Sequence, residues 1–319
     1  MQPSDEGESA YVDAADAFSV LGNETRMAVL GALWEADEPM TYAELRREVA
    51  PDDRGNFHYH LGKLADHFVR KVDGAYELRF AGVQVVRTVV TGTLTSDPSI
   101  PPVEVDTECG YCGRPMELCY EDERITLRCT DCAELVGGEM PPGAFIHCGF
   151  PPAGLDGRSP DELVEAAETF IETNAAPMLN GVCPECAGRT ATTISVCDDH
   201  AVDESGLCSA CETRYESWAV LRCRQCQYER KASIWYATLH HPAVVSFLYD
   251  HGHEAMSPFR SFTSDLARIK RDIGVEVVET DPYLFRVMLP IDGERLSVTV
   301  TEELAVEAIE RHTAETCDD

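Results

Sequence analysis

Ten of the chain's 14 cysteines fall into five C-x2-C pairs: Cys109/Cys112, Cys129/Cys132, Cys183/Cys186, Cys208/Cys211 and Cys223/Cys226. A two-residue gap closes a turn that lets two thiolates meet one tetrahedral ion at Zn–S distances of about 2.3 Å. Two such turns complete a four-cysteine site. Redox chemistry at a single pair would call for a thioredoxin-like β-α-β setting, which the stretch around the first pairs lacks. Structural disulfides have little place in a chain read as cytosolic.

The first two pairs enclose 16 residues, "GRPMELCYEDERITLR", enough for a strand–turn–strand. They predict a zinc ribbon over 109–146. Three pairs remain, and a closed set needs a fourth half-site. "CDDH" supplies it, because Cys197 and His200 keep the same two-residue gap. The region 183–228 then reads C-x2-C-x10-C-x2-H-x7-C-x2-C-x11-C-x2-C, a two-zinc Cys/His cluster. With the ribbon, twelve ligands give an expectation of three zinc ions. Sequential pairing of the later half-sites closes loops of 10 and 11 residues and costs least loop entropy. Cross-braced pairing closes loops of 21 and 22. The ligand order resembles the cross-braced RING pattern, except that seven residues follow the histidine where that pattern has two or three. Both pairings stay open, and ubiquitin transfer is not carried over. Thiolate-filled sites keep no position for water, so the ions are expected to fold the chain and not to catalyse. The chain also lacks a nucleophile motif and a phosphate loop, and no enzyme activity is expected. Cys119, Cys148 and Cys317 are left over.

The elements around these ligands are partly legible. "SPDELVEAAETFIETN" reads as a helix with Ser159 as N-cap, Pro160 at its first position and Glu162 closing a capping box. It forms the core of a connecting segment, 147–182. Beyond the cluster, 229–319 reads as a small α+β domain. "ERKASIWYATL" is strand-like, "HPAVVSFLYDHG" a short helix, "VEVVE", "YLFRVMLP" and "ERLSVTVT" a three-strand meander, and "EELAVEAIE" a closing helix. His240, His241, His251 and His253 read as helix-end caps, with a further metal site as the other reading. Trp235, Tyr236, Phe247, Tyr249 and Phe262 read as core, with a ligand pocket as the other reading.

The N-terminal third is helical. "YVDAADAFSVL" ends at Gly22, Asn23 caps "ETRMAVLGALWEA", and Thr41 with Glu44 caps "YAELRREV". In the fourth helix Phe57, Leu61, Leu64 and Phe68 form one apolar stripe. Asn56, Tyr59 and Lys63 fall on the opposite face, with His58 and His60 on its flanks. "VRKV-DG-AYEL" reads as a hairpin turned by Asp73-Gly74. From Arg54 to Val90 six basic residues face three acidic ones, a local +3. Three helices, a longer helix and a basic-edged hairpin read as a winged helix-turn-helix over 11–95.

This segment resembles the ArsR-like winged-helix regulators. "FSVLGNETRMAVLGAL" looks like that family's first two helices and "FHYHLGKLADHFVRK" like its recognition helix and entry to the wing. The resemblance implies that Asn56, Tyr59 and Lys63, with His58 beside them, face the major groove of double-stranded DNA. It implies that Arg70, Lys71, Arg79 and the preceding Arg54 meet phosphates. The metal-sensing sites of that family have no counterpart here: "YAELRREV" has no cysteine, and "AGVQVVRTVVTGTL" has no His, Asp or Glu. The stripe Val83, Val86 and Val90, with Val85 and Val89, is more apolar than one core needs and predicts a homodimer. Zinc ribbons followed by the carboxyl-terminal pattern also resemble the long winged-helix regulators of halophilic archaea.

Composition bounds the rest. Asp and Glu number 57 against 26 Lys and Arg, a formal net charge of −31, and only four of the basic residues are Lys. Such a balance is that of proteins from cells holding molar salt, where the Debye length falls to about 3 Å and carboxylate repulsion is screened. No apolar run approaches the ~20 residues of a membrane span. The stretch "MQPSDEGESAYVDAAD" is acidic and lacks the basic-then-apolar pattern of a signal peptide, so a cytoplasmic chain is the expectation. Residues 1–10 read as a disordered acidic tail and 96–108, rich in proline, as a linker. The expectation is therefore an α+β chain: a winged helix-turn-helix, zinc-ribbon-like modules, and a small α+β C-terminal domain. Functionally it is a cytoplasmic, dimeric DNA-binding transcriptional regulator with a C-terminal sensing or partner-binding region. The alternative is an adaptor that docks its winged helix on the transcription machinery.

Overall fold

The computed structural model describes residues 13–52, 55–65, 67–132, 136, 139–203, 207–253 and 272–313. The tail expected over 1–10, Arg54, Phe262 and Cys317 lie outside the described residues. The chain divides into two compact units, Met1–Ser96 and Asp97–Asp319. Among the described residues no helix is long and apolar enough to cross a membrane.

In the first unit α1 (Ala14–Leu21) is capped by the Asp13 carboxylate, which accepts the Ala15 N–H. Asn23 does the same for α2 (Glu24–Glu35) through the Arg26 N–H. After a two-residue strand β1 (Met40–Thr41), Thr41 and Glu44 form a reciprocal capping box on α3 (Tyr42–Val49). Helix α4 (Phe57–Leu64) precedes the hairpin β2 (Val69–Val72) and β3 (Ala75–Leu78), and α5 (Phe80–Val90) follows. The hairpin turn holds Asp73 at φ 50° and Gly74 at φ 91°, the two positive values a type I′ turn requires. The sheet order is β1-β3-β2. Val29, Leu30, Leu45, Phe57, Leu61, Leu64 and Val86 form the core. Phe68 belongs to it as expected, but not as part of α4. The backbone turns extended at Ala65, and Phe68 reaches inward from the following turn.

In the second unit β4 (Ile100–Glu108), β5 (Pro115–Glu121), β6 (Arg124–Cys129) and β7 (Ala144–Gly149) form one antiparallel sheet in that order. The expected linker 96–108 is thus largely strand. Pro101 and Pro102 sit at a register shift on an edge strand, where a missing N–H forfeits little. Helix α6 (Pro160–Leu179) has the expected Ser159–Glu162 capping box but runs five residues past Asn174. Its first half packs Leu163, Val164 and Ala167 on the core of this sheet. Its second half brings Ala175 and Leu179 to a different core.

That second core lies among β8 (Thr190–Val196), β9 (Ser217–Cys223), β10 (Glu229–Ser233), helix α7 (Pro242–Asp250) and the sheet β11 (Gly274–Thr280), β12 (Tyr283–Ile291), β13 (Glu294–Thr301), β14 (Val306–His312). The boundary expected at 228/229 cuts through the pairing of β9 with β10. The cluster region and the C-terminal region are therefore not separate modules. The closing helix expected in "EELAVEAIE" is a turn followed by β14. Leu304 takes φ 65°, and Val306 and Ile309 pack on the sheet core. Pairing with β13 along a ready apolar face outweighs the helical propensity of the stretch.

Gly82 in α5 lies against the hairpin entry: a Cβ there would stand 2.3 Å from the Phe68 carbonyl oxygen. Alanine is about 1 kcal/mol better than glycine inside a helix. The backbone clash outweighs that gain, at about 1–3 kcal/mol for overpacking. Gly82→Ala should lower the stability of the Met1–Ser96 unit in denaturant titration; an increase would show that α5 is free to shift away from Phe68.

Candidate metal centres

Three groups of four donors converge: Cys109, Cys112, Cys129 and Cys132; Cys183, Cys186, Cys223 and Cys226; and Cys197, His200, Cys208 and Cys211. Within each group the ligand atoms lie within 4.8 Å of one another. All twelve residues expected as ligands fall into these groups, and among the described residues three groups are compatible with metal binding. The pairing of the second and third groups is neither sequential nor cross-braced. It is nested: the outer pairs 183/186 and 223/226 share one group and enclose the inner one.

The β8–β9 ladder explains the nesting. Thr190 pairs with Cys223 at one end, and Val196 with Ser217 at the other. The first end joins the outer pairs; the second delivers Cys197, whose N–H donates to the Glu216 carbonyl at 2.9 Å. The entropy argument for short loops treated the intervening chain as coil. Here a strand pair already closes the long loop, so its length costs little.

Four of the C-x2-C turns share one backbone form. The N–H of the first cysteine donates to the carbonyl five residues on: Cys109 to Arg114 at 2.8 Å, Cys183 to Gly188 at 2.9 Å, Cys208 to Thr213 at 3.0 Å and Cys223 to Tyr228 at 2.8 Å. The residue after the second cysteine takes a positive φ in each: Gly113, Ala187, Glu212 and Gln227. Only one of these is glycine, so composition alone did not mark them. Gly188 was also unmarked; a Cβ there would come within 3.1 Å of the Cys186 Sγ and 3.2 Å of the Cys223 Sγ.

Sulfur separations match a common ion. Cys109 and Cys132 Sγ lie 3.9 Å apart, Cys112 and Cys129 3.5 Å, Cys183 and Cys226 3.6 Å, and Cys186 and Cys223 3.5 Å. A tetrahedron with 2.3 Å arms has edges of about 3.8 Å. His200 turns Nδ1 toward the Cys211 Sγ at 3.5 Å, while its Nε2–H donates to the Arg214 carbonyl at 3.2 Å. That outer bond fixes the ring and leaves Nδ1 as the donor atom. Backbone N–H groups of Ala201, Cys211 and Ala210 pull the Cys208 thiol down to about 6, and those of Cys226 and Gln225 do the same for Cys223. Burial pushes Cys109 up to about 11, and desolvation followed by contact with Cys211 pushes Cys197 up to about 11. The third group thus sets a lowered thiol, Cys208, beside a raised one, Cys197, which a cation must ionise.

Cys119 and Cys148 stand outside the three groups. His241 caps α7 by accepting the Ala243 N–H, and His251 meets the Phe247 carbonyl at 2.8 Å. Trp235, Tyr236 and Phe247 are buried in the second core, whereas Tyr249 is exposed.

In the first unit, Asn56, His58, Tyr59 and Lys63 are all exposed on or beside α4, and Lys63 Nζ lies 5.6 Å from the Tyr59 ring centre. Asn56 precedes the helix without a side-chain cap. On the hairpin Arg70 is exposed but donates to Glu77 at 2.6 Å, and Lys71 lies over the Tyr76 ring. Arg79 is exposed at the start of α5.

The family model described as a domain of unknown function, DUF7351, matches residues 106–306. A second domain of unknown function, DUF7347, matches residues 14–89. No curated protein and no solved structure matches the chain.

Nested grouping makes a countable prediction. Metal content of protein purified without added metal should approach three ions per chain by elemental analysis. The double variant Cys186→Ser/Cys226→Ser should lose one ion. Sequential or cross-braced grouping would place these two residues in different sites, and two ions would be lost.

Proposed function

We propose that this chain, which belongs to the DUF7351 family, is a dimeric DNA-binding transcriptional regulator whose C-terminal unit is folded by three zinc ions and serves in sensing. The observation that carries the reading is the face of α4. Phe57, Leu61 and Leu64 are buried while Asn56, Tyr59 and Lys63 are exposed, and a hairpin bearing Arg70 and Lys71 follows directly. The element order and the β1-β3-β2 sheet support a winged helix-turn-helix. Asn56 and Tyr59 offer hydrogen bonds to base edges, and Lys63 offers a cation to a guanine.

Zinc fits the donor sets: thiolate and imidazole only, four to a group, with separations near a tetrahedral edge. Exposed apolar side chains support the dimer. Phe18 in α1, Val90 in α5 and Leu94 beyond it are 74%, 55% and 74% accessible. A second copy would cover them. The composition supports function at molar salt, where a net charge of −31 repels a polyanion only at contact.

DNA selection from a random pool in molar KCl tests the reading. A defined sequence should be enriched. Asn56→Ala should relax preference at one position, each good base contact giving about 1–3 kcal/mol of discrimination. Arg79→Ala should weaken all sequences alike. Failure to enrich any sequence, with the fold intact, would favour the adaptor reading.

A further inference from the structure

A cavity of about 920 Å³ lies within the Asp97–Asp319 unit. Its walls come from β7, the middle of α6 and the strands β8–β10. The apolar part is built by Ile146, Ile171, Trp218, Val220 and Trp235. The cationic part is Arg124 at the start of β6, with Arg230 and Lys231 on β10.

The charges of this wall are unusual for the chain. Carboxylates outnumber cationic side chains 57 to 26, so an arginine readily finds an acidic partner. Arg114, Arg128, Arg222, Arg286 and Arg311 each have one. Among the described residues neither Arg124 nor Arg230 has a carboxylate within ion-pair distance. The Arg230 Nε is buried and meets no acceptor among the described residues. Its guanidinium lies 5.3 Å from the Tyr228 ring centre, which holds it in place. Both guanidinium groups act on the same buried thiol, Cys148: burial pushes that thiol up, and Arg230 and Arg124 draw it down. Arg124, Arg230 and Cys148 all line this one cavity. Lys231 is answered by Glu139 at 3.4 Å, and Glu216 is the remaining acidic lining residue.

We propose that this cavity binds a small organic anion, a carboxylate or sulfonate carried on an aromatic or aliphatic body. The apolar walls take the body, and Arg230 and Arg124 take the anionic head. A planar guanidinium matches such a head through paired N–H donors, and a buried unmet donor gains most when the head arrives. The volume is that of a site for one drug-sized molecule, lined mainly by apolar groups with a few convergent polar ones. The proposal deepens the sensing role given above and rests on that reading, but its test uses no DNA, so either can fail alone.

The test compares two dyes of similar shape on the full chain in molar KCl. One is 8-anilinonaphthalene-1-sulfonate, an aromatic anion; the other is N-phenyl-1-naphthylamine, its neutral analogue. The sulfonate should bind in about one copy per chain and quench tryptophan emission. Dodecanoate should displace it. Arg230→Gln should weaken the sulfonate by about tenfold or more and leave the neutral dye nearly unchanged. Arg124→Gln, at an exposed position, should act in the same direction and covers the case in which the first variant does not fold. Absence of saturable sulfonate binding would overturn the proposal. So would equal losses for both dyes, or full affinity in both variants. DNA selection run in parallel reports on the regulator reading independently.

Discussion

Four cysteine or histidine donors within 4.8 Å of one another, three times over among the described residues, are the constraint around which the Asp97–Asp319 unit is arranged. Thiolates at that distance repel, and thiols there make only weak hydrogen bonds, so the arrangement is stable when a cation offsets the charge. The sheets serve this convergence. The turn between β4 and β5 sets Cys109 and Cys112 opposite the end of β6, where Cys129 leaves the ladder. The β8–β9 pair holds a donor group at each end. Helix α6 then ties the first sheet to the second core, because its two halves are buried in different places.

Much of this was legible in the residues. Spacing alone named all twelve donors, because a two-residue gap has few uses other than sharing an ion. The odd number of cysteine pairs pointed to Cys197 and His200. Capping signals placed four helix starts, at Asn23, Thr41, Ser159 and Pro242, since caps are local and independent of packing. What was not legible is long-range. The grouping of donors depends on the β8–β9 pairing that runs from Thr190 with Cys223 to Val196 with Ser217, and periodicity carries no information on such a long-range match. The stretch 302–310 has a helical composition, yet it makes a turn and then enters β14 along the open edge of β13. The prolines of 96–108 suggested a linker; an edge strand tolerates them as well. The cationic wall formed by Arg124 and Arg230 joins residues more than a hundred positions apart, and no local pattern announces it.

Charge is distributed to match. The ion pairs are mostly exposed, such as Arg70–Glu77 and Arg286–Glu276, and pairs of that kind contribute about 0–1 kcal/mol each. Stability therefore rests on the three apolar cores and the donor groups, both of which persist when salt screens the surface. Two local positive features among the described residues are the hairpin beside α4, with Arg70 and Lys71, and the cavity lining, with Arg124, Arg230 and Lys231. A polyanion and a small organic anion are the ligands proposed for these two features of a chain with a net charge of −31.

The nested grouping also sets a problem of timing during synthesis. A chain leaves the ribosome N-terminus first, at about 5–20 residues per second. Cys183, Cys186, Cys197 and His200 all emerge before Cys208, and together they already offer four donors to a passing ion. That set is the wrong one. The inner group is complete only when Cys211 appears, and the outer pair must then wait for Cys223 and Cys226. The nascent chain either keeps its first four donors apart until β9 is made, or captures an ion early and hands it on. Thiolate exchange at a labile metal ion permits the second course, and formation of the β8–β9 ladder would drive it to completion.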